Sequence, residues 1–256
     1  MTLVLERVEI ARGGRVLLRE VSLALEDGVV AVVGPNGVGK TSLLRAMAGS
    51  LALAAGSIAL DGVPVGRLHP RERARRIALV EPAEPVLAAL TVVDAVAAAR
   101  FPHHRWWEWE ATAEDDAAVD GALARAGIAA FRDRELGTLS AGERQRVWIA
   151  LAIAQRAGVV LLDEPTSHLD LKASVETLQL VRELAAGGAL VVVVLHQLEE
   201  AASFADRVIV LGRERVIADG PPEHALTSAS IERAFGVAVT VERRPDGLAF
   251  HRHIAS

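Results

Sequence analysis

Cysteine and tyrosine are both absent from the 256 residues. Without thiols there is no disulfide scaffold, no cysteine nucleophile and no zinc site built on thiolates, which fits a reducing compartment. Aromatics are scarce at 4% although 51% of residues are hydrophobic, so the core has to be assembled mainly from Ala, Val and Leu. Such side chains suit layered α/β packing. Long apolar runs are missing too. The mean hydropathy of +0.29 invites a search for a membrane span, which takes about 18 unbroken apolar residues. Gly188 to Leu195 is too short, and Val86 to Ala99 is interrupted by Thr91 and Asp94. The opening Met-Thr-Leu-Val-Leu-Glu-Arg carries charge where a signal peptide is apolar, so the chain is expected to stay in the cytoplasm and to meet a membrane through a partner. Basic charge does not predominate: 28 Lys+Arg stand against 33 Asp+Glu, a balance of −5, which argues against nucleic acid as a partner.

The length allows one large domain or two small ones. Leu3 to Ala11 alternates loosely, and Arg12-Gly13-Gly14-Arg15 reads as a turn into a second strand near Val21 to Leu25. Continuous apolar runs follow at Val29 to Val33, Ile77 to Val80, Val159 to Leu162, Leu190 to Leu195 and Val208 to Leu211. Strands buried on both faces read this way, so a mostly parallel sheet with helices on both faces is expected. From about Leu90 to Ala157 the patterns are helical only, at Val92 to Ala99, Ala113 to Ala126 and Ala141 to Arg156, which marks a helical insertion. The basic stretch His69 to Arg76 is interleaved with Glu72 and reads as a solvated helix.

Gly34-Pro35-Asn36-Gly37-Val38-Gly39-Lys40-Thr41 fits G-x-x-x-x-G-K-[ST] between a strand and a helix. Glycines let successive N–H groups converge on phosphate oxygens; Lys40 adds a point charge and Thr41 a hydroxyl for Mg²⁺. With Ser42 beyond it, this run is the expected nucleotide-binding set. Leu161-Leu162-Asp163-Glu164 ends a buried strand in adjacent carboxylates. They are either solvent-facing strand-end acids or, given the glycine loop upstream, a Mg²⁺ ligand in Asp163 and a general base for water in Glu164. Ser140-Ala141-Gly142-Glu143 has capping-box spacing. It either caps a helix and no more, or its N-terminus is a second anion site serving a phosphate held by another copy of the chain.

These runs, with Leu139 before Ser140, Pro165 after Glu164, then Ser167-His168-Leu169-Asp170 and His196, stand in the order of Walker A, signature, Walker B, D-loop and switch histidine. The chain resembles the ATP-binding subunit of ABC transporters over nearly its whole length. The resemblance implies a P-loop NTPase core of RecA-like type with a mostly parallel sheet, an N-terminal antiparallel β subdomain and an inserted α-helical subdomain at about 90–157. A C-terminal extension at about 220–256 would complete a single nucleotide-binding domain, 1–256. It implies a head-to-tail homodimer with ATP and Mg²⁺ sandwiched between one chain's Walker A and the other's Ser140, Gly142 and Glu143. His196 then contacts the γ-phosphate, Asp170 links the two sites, and Glu164, His196 and Lys40 carry the catalysis.

Arg100 to Trp109, Asp219 to Glu223, Glu232 to Val237 and a short strand pair through Asp246-Gly247 look like importers of ferric siderophores, heme and cobalamin. That likeness implies an integral membrane permease pair, an indirect periplasmic or lipoprotein substrate-binding protein, and a place on the cytoplasmic face of the cell membrane. The tryptophans read alternatively as local packing, and His103 and His104 as a solvated loop rather than metal ligands. Two positions depart from the family. Alignment puts Arg12 where an aromatic residue stacks on adenine, and Pro82 where a Gln reaches Mg²⁺; Glu81 is a candidate replacement ligand. The expected function is therefore an ATPase driving import, with a weakly hydrolytic ATP switch, or the ATPase of another ABC importer or exporter, as alternatives.

Overall fold

The structure, a computed structural model, describes residues 1–81, 89–104, 111–245 and 247–252. The alternating start becomes a long antiparallel pair, β1 (Leu3–Arg12) and β2 (Arg15–Leu25), closed by Gly13 and Gly14. Both turn glycines have positive φ, +58° and +78°, as a two-residue hairpin turn requires. β3 (Gly28–Val33) starts a second sheet and runs through the glycine loop into α1 (Lys40–Met47). β4 (Ala55–Leu60) and β5 (Val63–Pro64) return to the first sheet, which is four-stranded in the order β2-β1-β4-β5.

After α2 (Pro70–Arg76) and β6 (Ile77–Val80) come the inserted helices α3 (Val92–Ala97), α4 (Ala113–Arg125) and α5 (Ala141–Gln155). β7 (Val159–Asp163), α6 (Leu171–Ala186), β8 (Leu190–Val194), α7 (Leu198–Phe204) and β9 (Arg207–Gly212) complete the parallel layer. β10 (Arg215–Gly220) then turns back antiparallel to β9. The order of this six-stranded sheet is β10-β9-β3-β8-β7-β6. α8 (Pro222–Ala225), α9 (Ser228–Phe235) and the pair β11 (Val239–Arg244) and β12 (Gly247–Arg252) follow. Asp246, part of the expected turn, lies outside the described residues.

The sheet's two faces carry separate cores, because β3 sends alternate side chains to each. Val29, Ala31 and Val33 join α5, α6 and α7 on one side, while Val30 and Val32 join α1 and the antiparallel sheet on the other. Helices thus lie on both faces as expected, but one face is shared between α1 and the first sheet, whose inward residues Leu3, Leu5, Ile10 and Leu25 must be covered as well.

Two further readings change. The helix expected to Ala99 leaves α geometry after Ala97 and tightens into a 3₁₀ stretch, Ala98–His103, that contains Pro102. Nor are His103 and His104 a solvated loop. The stretch folds back on the C-terminus of α5, where carbonyls lack helical partners. Buried Arg100 donates to Ala154 O at 2.9 Å, and the His103 ring bonds Gln155 O at 2.9 Å. Arg100 also pairs with buried Asp115 at 2.9 Å, and His104 meets the same carboxylate at 2.8 Å. Burial raises the Asp115 pKa, but hydrogen bonds from Thr112, Arg100 and His104 outweigh it and hold the carboxyl well below the usual range. The tryptophans Trp106, Trp107 and Trp109 lie outside the described residues. α2 has no buried residue, as a solvated helix should.

Candidate active site

Strand order decides what meets what. β8 lies between β3 and β7, and all three are parallel. Their C-terminal ends therefore place the glycine loop, His196 and the Asp163-Glu164 pair side by side, the edge where open α/β sheets bind ligands.

The glycine loop is shaped by backbone conformations and clearances that favour glycine. Gly39 has φ +111°, and a Cβ there would come within 3.2 Å of Leu17 Cβ. Lys40 folds back so that its ammonium donates to Gly34 O at 2.8 Å and Pro35 O at 3.3 Å. Burial lowers the Lys40 pKa, opposed by the charges of Glu164 and Asp163. Thr41 donates to Asp163 Oδ2 at 2.7 Å. Burial also raises the Asp163 pKa, against the hydrogen bond from Thr41.

Asp163 Oδ1 is buried and has no hydrogen-bond partner among the described residues. A carboxylate oxygen left bare beside the Thr41 hydroxyl fits a hard divalent cation, so the donor set suits Mg²⁺. Glu164 leaves β7 at φ +51°, a left-handed turn that is costly for a non-glycine residue and clusters at functional sites. Its Oε1 lies 2.6 Å from His196 Nε2, and Ser167 Oγ donates to its Oε2 at 3.3 Å.

Arg12, Leu17, Asn36, Gly37, Gly39 and Lys40 line one cleft of about 470 Å³ together with Thr41, Ser42, Glu164 and His196. Ser140, Gly142, Glu143 and Asp170 line a different cleft, of about 510 Å³, that shares none of these residues. There the capping box is complete: Ser140 N–H donates to Glu143 Oε2 at 2.7 Å, and Glu143 N–H to Ser140 Oγ at 3.3 Å. The bond from the Ser140 backbone lowers the Glu143 pKa. Asp170 caps α6 by accepting from Ala173 N–H at 2.8 Å. Glu81 stands at the end of β6, where Arg45 Nε reaches its Oε1 at 2.6 Å; Pro82 lies outside the described residues.

Sequence reasoning missed Arg45 and Leu17, and it named Ser167 without foreseeing its bond to Glu164. Arg45 carries the one readable signal, lying four residues after Thr41 on the same helix. Its partner on β6 is visible only in three dimensions.

A family model described as ABC transporter matches residues 18–167. The chain belongs to the ABC transporter family. Within it, the chain is 40% identical to the cobalamin import ATP-binding protein BtuD of Halobacterium salinarum over 96% of its own length, and spans 61% of that relative. It is 42% identical to the hemin import ATP-binding protein HmuV of Nocardia farcinica, covering 95% of this chain and 84% of the relative. An inward-facing ABC transporter of metal-chelate type superimposes with a TM-score of 0.82 at 25% identity, over 98% of this chain and 96% of the other. The ABC cassette is a nucleotide-binding fold, as expected from the glycine loop. Among the described residues no helix is long and apolar enough to cross a membrane.

Proposed function

We propose that residues 1–256 form one nucleotide-binding domain, the ATP-binding and ATP-hydrolysing subunit of an importer that powers uptake of an iron chelate, heme or cobalamin. The observation that carries this reading is the convergence of Lys40, Thr41, Asp163, Glu164 and His196 at one sheet edge. Lys40 exchanges its two loop carbonyls for β- and γ-phosphate oxygens, and glycine-loop N–H groups complete the cradle. Glu164 accepts a proton from the water that attacks the γ-phosphorus, as the bond from that phosphorus to the leaving ADP oxygen breaks. His196, in contact with Glu164, orients this carboxylate and offers a donor toward the γ-phosphate. Thr41 and Asp163 would hold Mg²⁺, which when bound neutralises charge on the phosphate oxygens. Glu81 is a weaker candidate ligand, because Arg45 already engages it.

The separation of the two clefts within one chain supports a homodimer in which each copy brings its α5 N-terminus to the other's phosphates. Cargo and permease follow from the relatives' names, which speak of cobalamin and hemin import, and from the metal-chelate transporter's likeness. In this reading the subunit sits peripherally on the cytoplasmic face of the membrane against a permease pair, and a substrate-binding protein acts from the other side. The second reading, an ATP switch with weak hydrolysis, is favoured by Arg12, which stands in the cleft where no Phe, Tyr or Trp occurs among the described lining residues.

Co-purification from detergent-solubilised membranes, followed by reconstitution, tests the proposal. A multi-span permease should accompany the tagged chain, and hemin, cobalamin or a ferric siderophore with its binding protein should accelerate ATP hydrolysis. A chain that copurifies with no permease, and whose hydrolysis none of these cargos stimulates, contradicts it.

A further inference from the structure

Two side-chain rungs join α1 to the ends of neighbouring strands. Thr41 donates to Asp163 at the end of β7, and one helical turn further on, Arg45 Nε donates to Glu81 Oε1 at 2.6 Å at the end of β6. Strand register sets this up. β6 and β7 are parallel, with Val80 beside Leu162, so the next residues along, Glu81 and Asp163, leave the sheet side by side. Val80 and Leu162 belong to the core packed by α5, α6 and α7, so by alternation Glu81 and Asp163 turn to the face that carries α1.

The outcome is a third carboxylate beside Asp163 and Glu164. Burial raises the Asp163 pKa most, and the charges of Glu164 and Glu81 push it the same way, so Glu81 already acts on this site. The Arg45 pKa is raised first by its bond to Glu81, and Asp163 adds to the rise. Without Arg45, the Glu81 carboxylate would have two opposed effects. It would offer Mg²⁺ a further hard oxygen. It would also repel a γ-phosphate, and in a part-buried site that repulsion is worth about a tenfold change in affinity. The Arg45–Glu81 pair is itself part-exposed, and ion pairs of that kind contribute little to folding stability.

We propose that Arg45 is a positioning residue for nucleotide binding, which holds the Glu81 carboxylate away from Mg²⁺ and the γ-phosphate; the inference rests on the reading of the cleft as an ATP site. Thr41 and Arg45 divide the work of α1 between them. Thr41 bonds one oxygen of Asp163 and leaves the other bare for the cation, whereas Arg45 engages Glu81 and withholds it. Because the two lie one turn apart on one helix, both carboxylates are set from the same rigid element.

Calorimetric titration of the full chain tests this, with Mg²⁺ alone and with ATP and Mg²⁺ together. Arg45→Gln should bind ATP with Mg²⁺ at least about fivefold more weakly than the native chain, yet bind Mg²⁺ alone at least as tightly. Adding Glu81→Gln to Arg45→Gln should bring ATP affinity back to within about twofold of native, because no charge is then left to hold away. A merely structural pair gives the reverse, since removing its second member restores nothing. The proposal is overturned by a double variant that binds ATP no better than Arg45→Gln. It is overturned equally by Arg45→Gln binding ATP as well as the native chain, or binding Mg²⁺ alone more weakly. Lys40→Ala separates the two levels of the argument. If it binds ATP as well as the native chain, or the native chain binds none, the reading of the cleft fails and the Arg45 role with it. Lys40-dependent binding without rescue by Glu81→Gln sinks the Arg45 role alone.

Discussion

Thr41 donates its hydroxyl proton to one carboxylate oxygen of Asp163, Oδ2, at 2.7 Å, while the other oxygen, Oδ1, is buried without a partner among the described residues. A buried carboxylate oxygen with no donor is costly, and its pKa is pushed up by that burial. Both features are relieved by a cation. Mg²⁺ should therefore strengthen ATP binding to the native chain, and Asp163→Ala should remove at least about a tenfold of that gain, the scale of a lost charged contact. Calorimetry with and without EDTA checks it; an Mg²⁺ effect that survives Asp163→Ala intact would remove Asp163 from the metal site.

The two clefts give a prediction about assembly. Ser140 is exposed at the N-terminus of α5, so Ser140→Arg should cost the fold about 1 kcal/mol, the usual value of a lost cap. It should nevertheless block ATP-driven dimerisation, because a long side chain fills the approach to the helix end. Gel filtration of a Glu164→Gln background with ATP decides the matter. Dimers forming equally well with and without the Ser140→Arg substitution would refute the assignment of that helix end to a partner's phosphates.

Buried Arg100 and Asp115 give a stability prediction. Arg100→Ala leaves an uncompensated buried carboxylate and should destabilise the fold by about 3–5 kcal/mol in urea unfolding. The Asp115 carboxyl is held below its ordinary range, so its contribution is fully present above the unfolded carboxylate pKa and is lost as pH falls through the folded value. The stability gap between the native chain and Asp115→Asn should accordingly narrow below about pH 4. A gap that widens on acidification would mean that the hydrogen bonds do not favour the ionised form.

Local chemistry made much of this legible before any coordinates. Val29 to Val33 and Leu190 to Leu195 carry no polar residue, which only strands covered on both faces tolerate, and both proved to be central. The Ser140 to Glu143 spacing encodes its own two hydrogen bonds, since both partners lie within one helical turn. What was not legible depends on strand order. Thr41 meets Asp163, Glu164 meets His196 and Arg45 meets Glu81 because β8 separates β3 from β7 and β6 lies at the edge, and no local period records that. β4 was missed for a different reason: in Ala-Gly-Ser-Ile-Ala-Leu just Ile58 and Leu60 are buried, too short a pattern to separate from a loop. His103 and His104 were misjudged because their acceptors, Gln155 O and Asp115, lie elsewhere in the sequence.

Glu164 carries the central proposal, that it is the base for water attacking a bound γ-phosphate; its contact with His196 at 2.6 Å and its left-handed backbone are the observations that support it. The direct measurement is steady-state ATP hydrolysis of the native chain and Glu164→Gln, with ATP affinity determined on both. The account predicts unchanged or tighter ATP binding and turnover reduced at least about a hundredfold, the usual scale for losing a general base. Glu164→Gln turning over ATP at the native rate would contradict it.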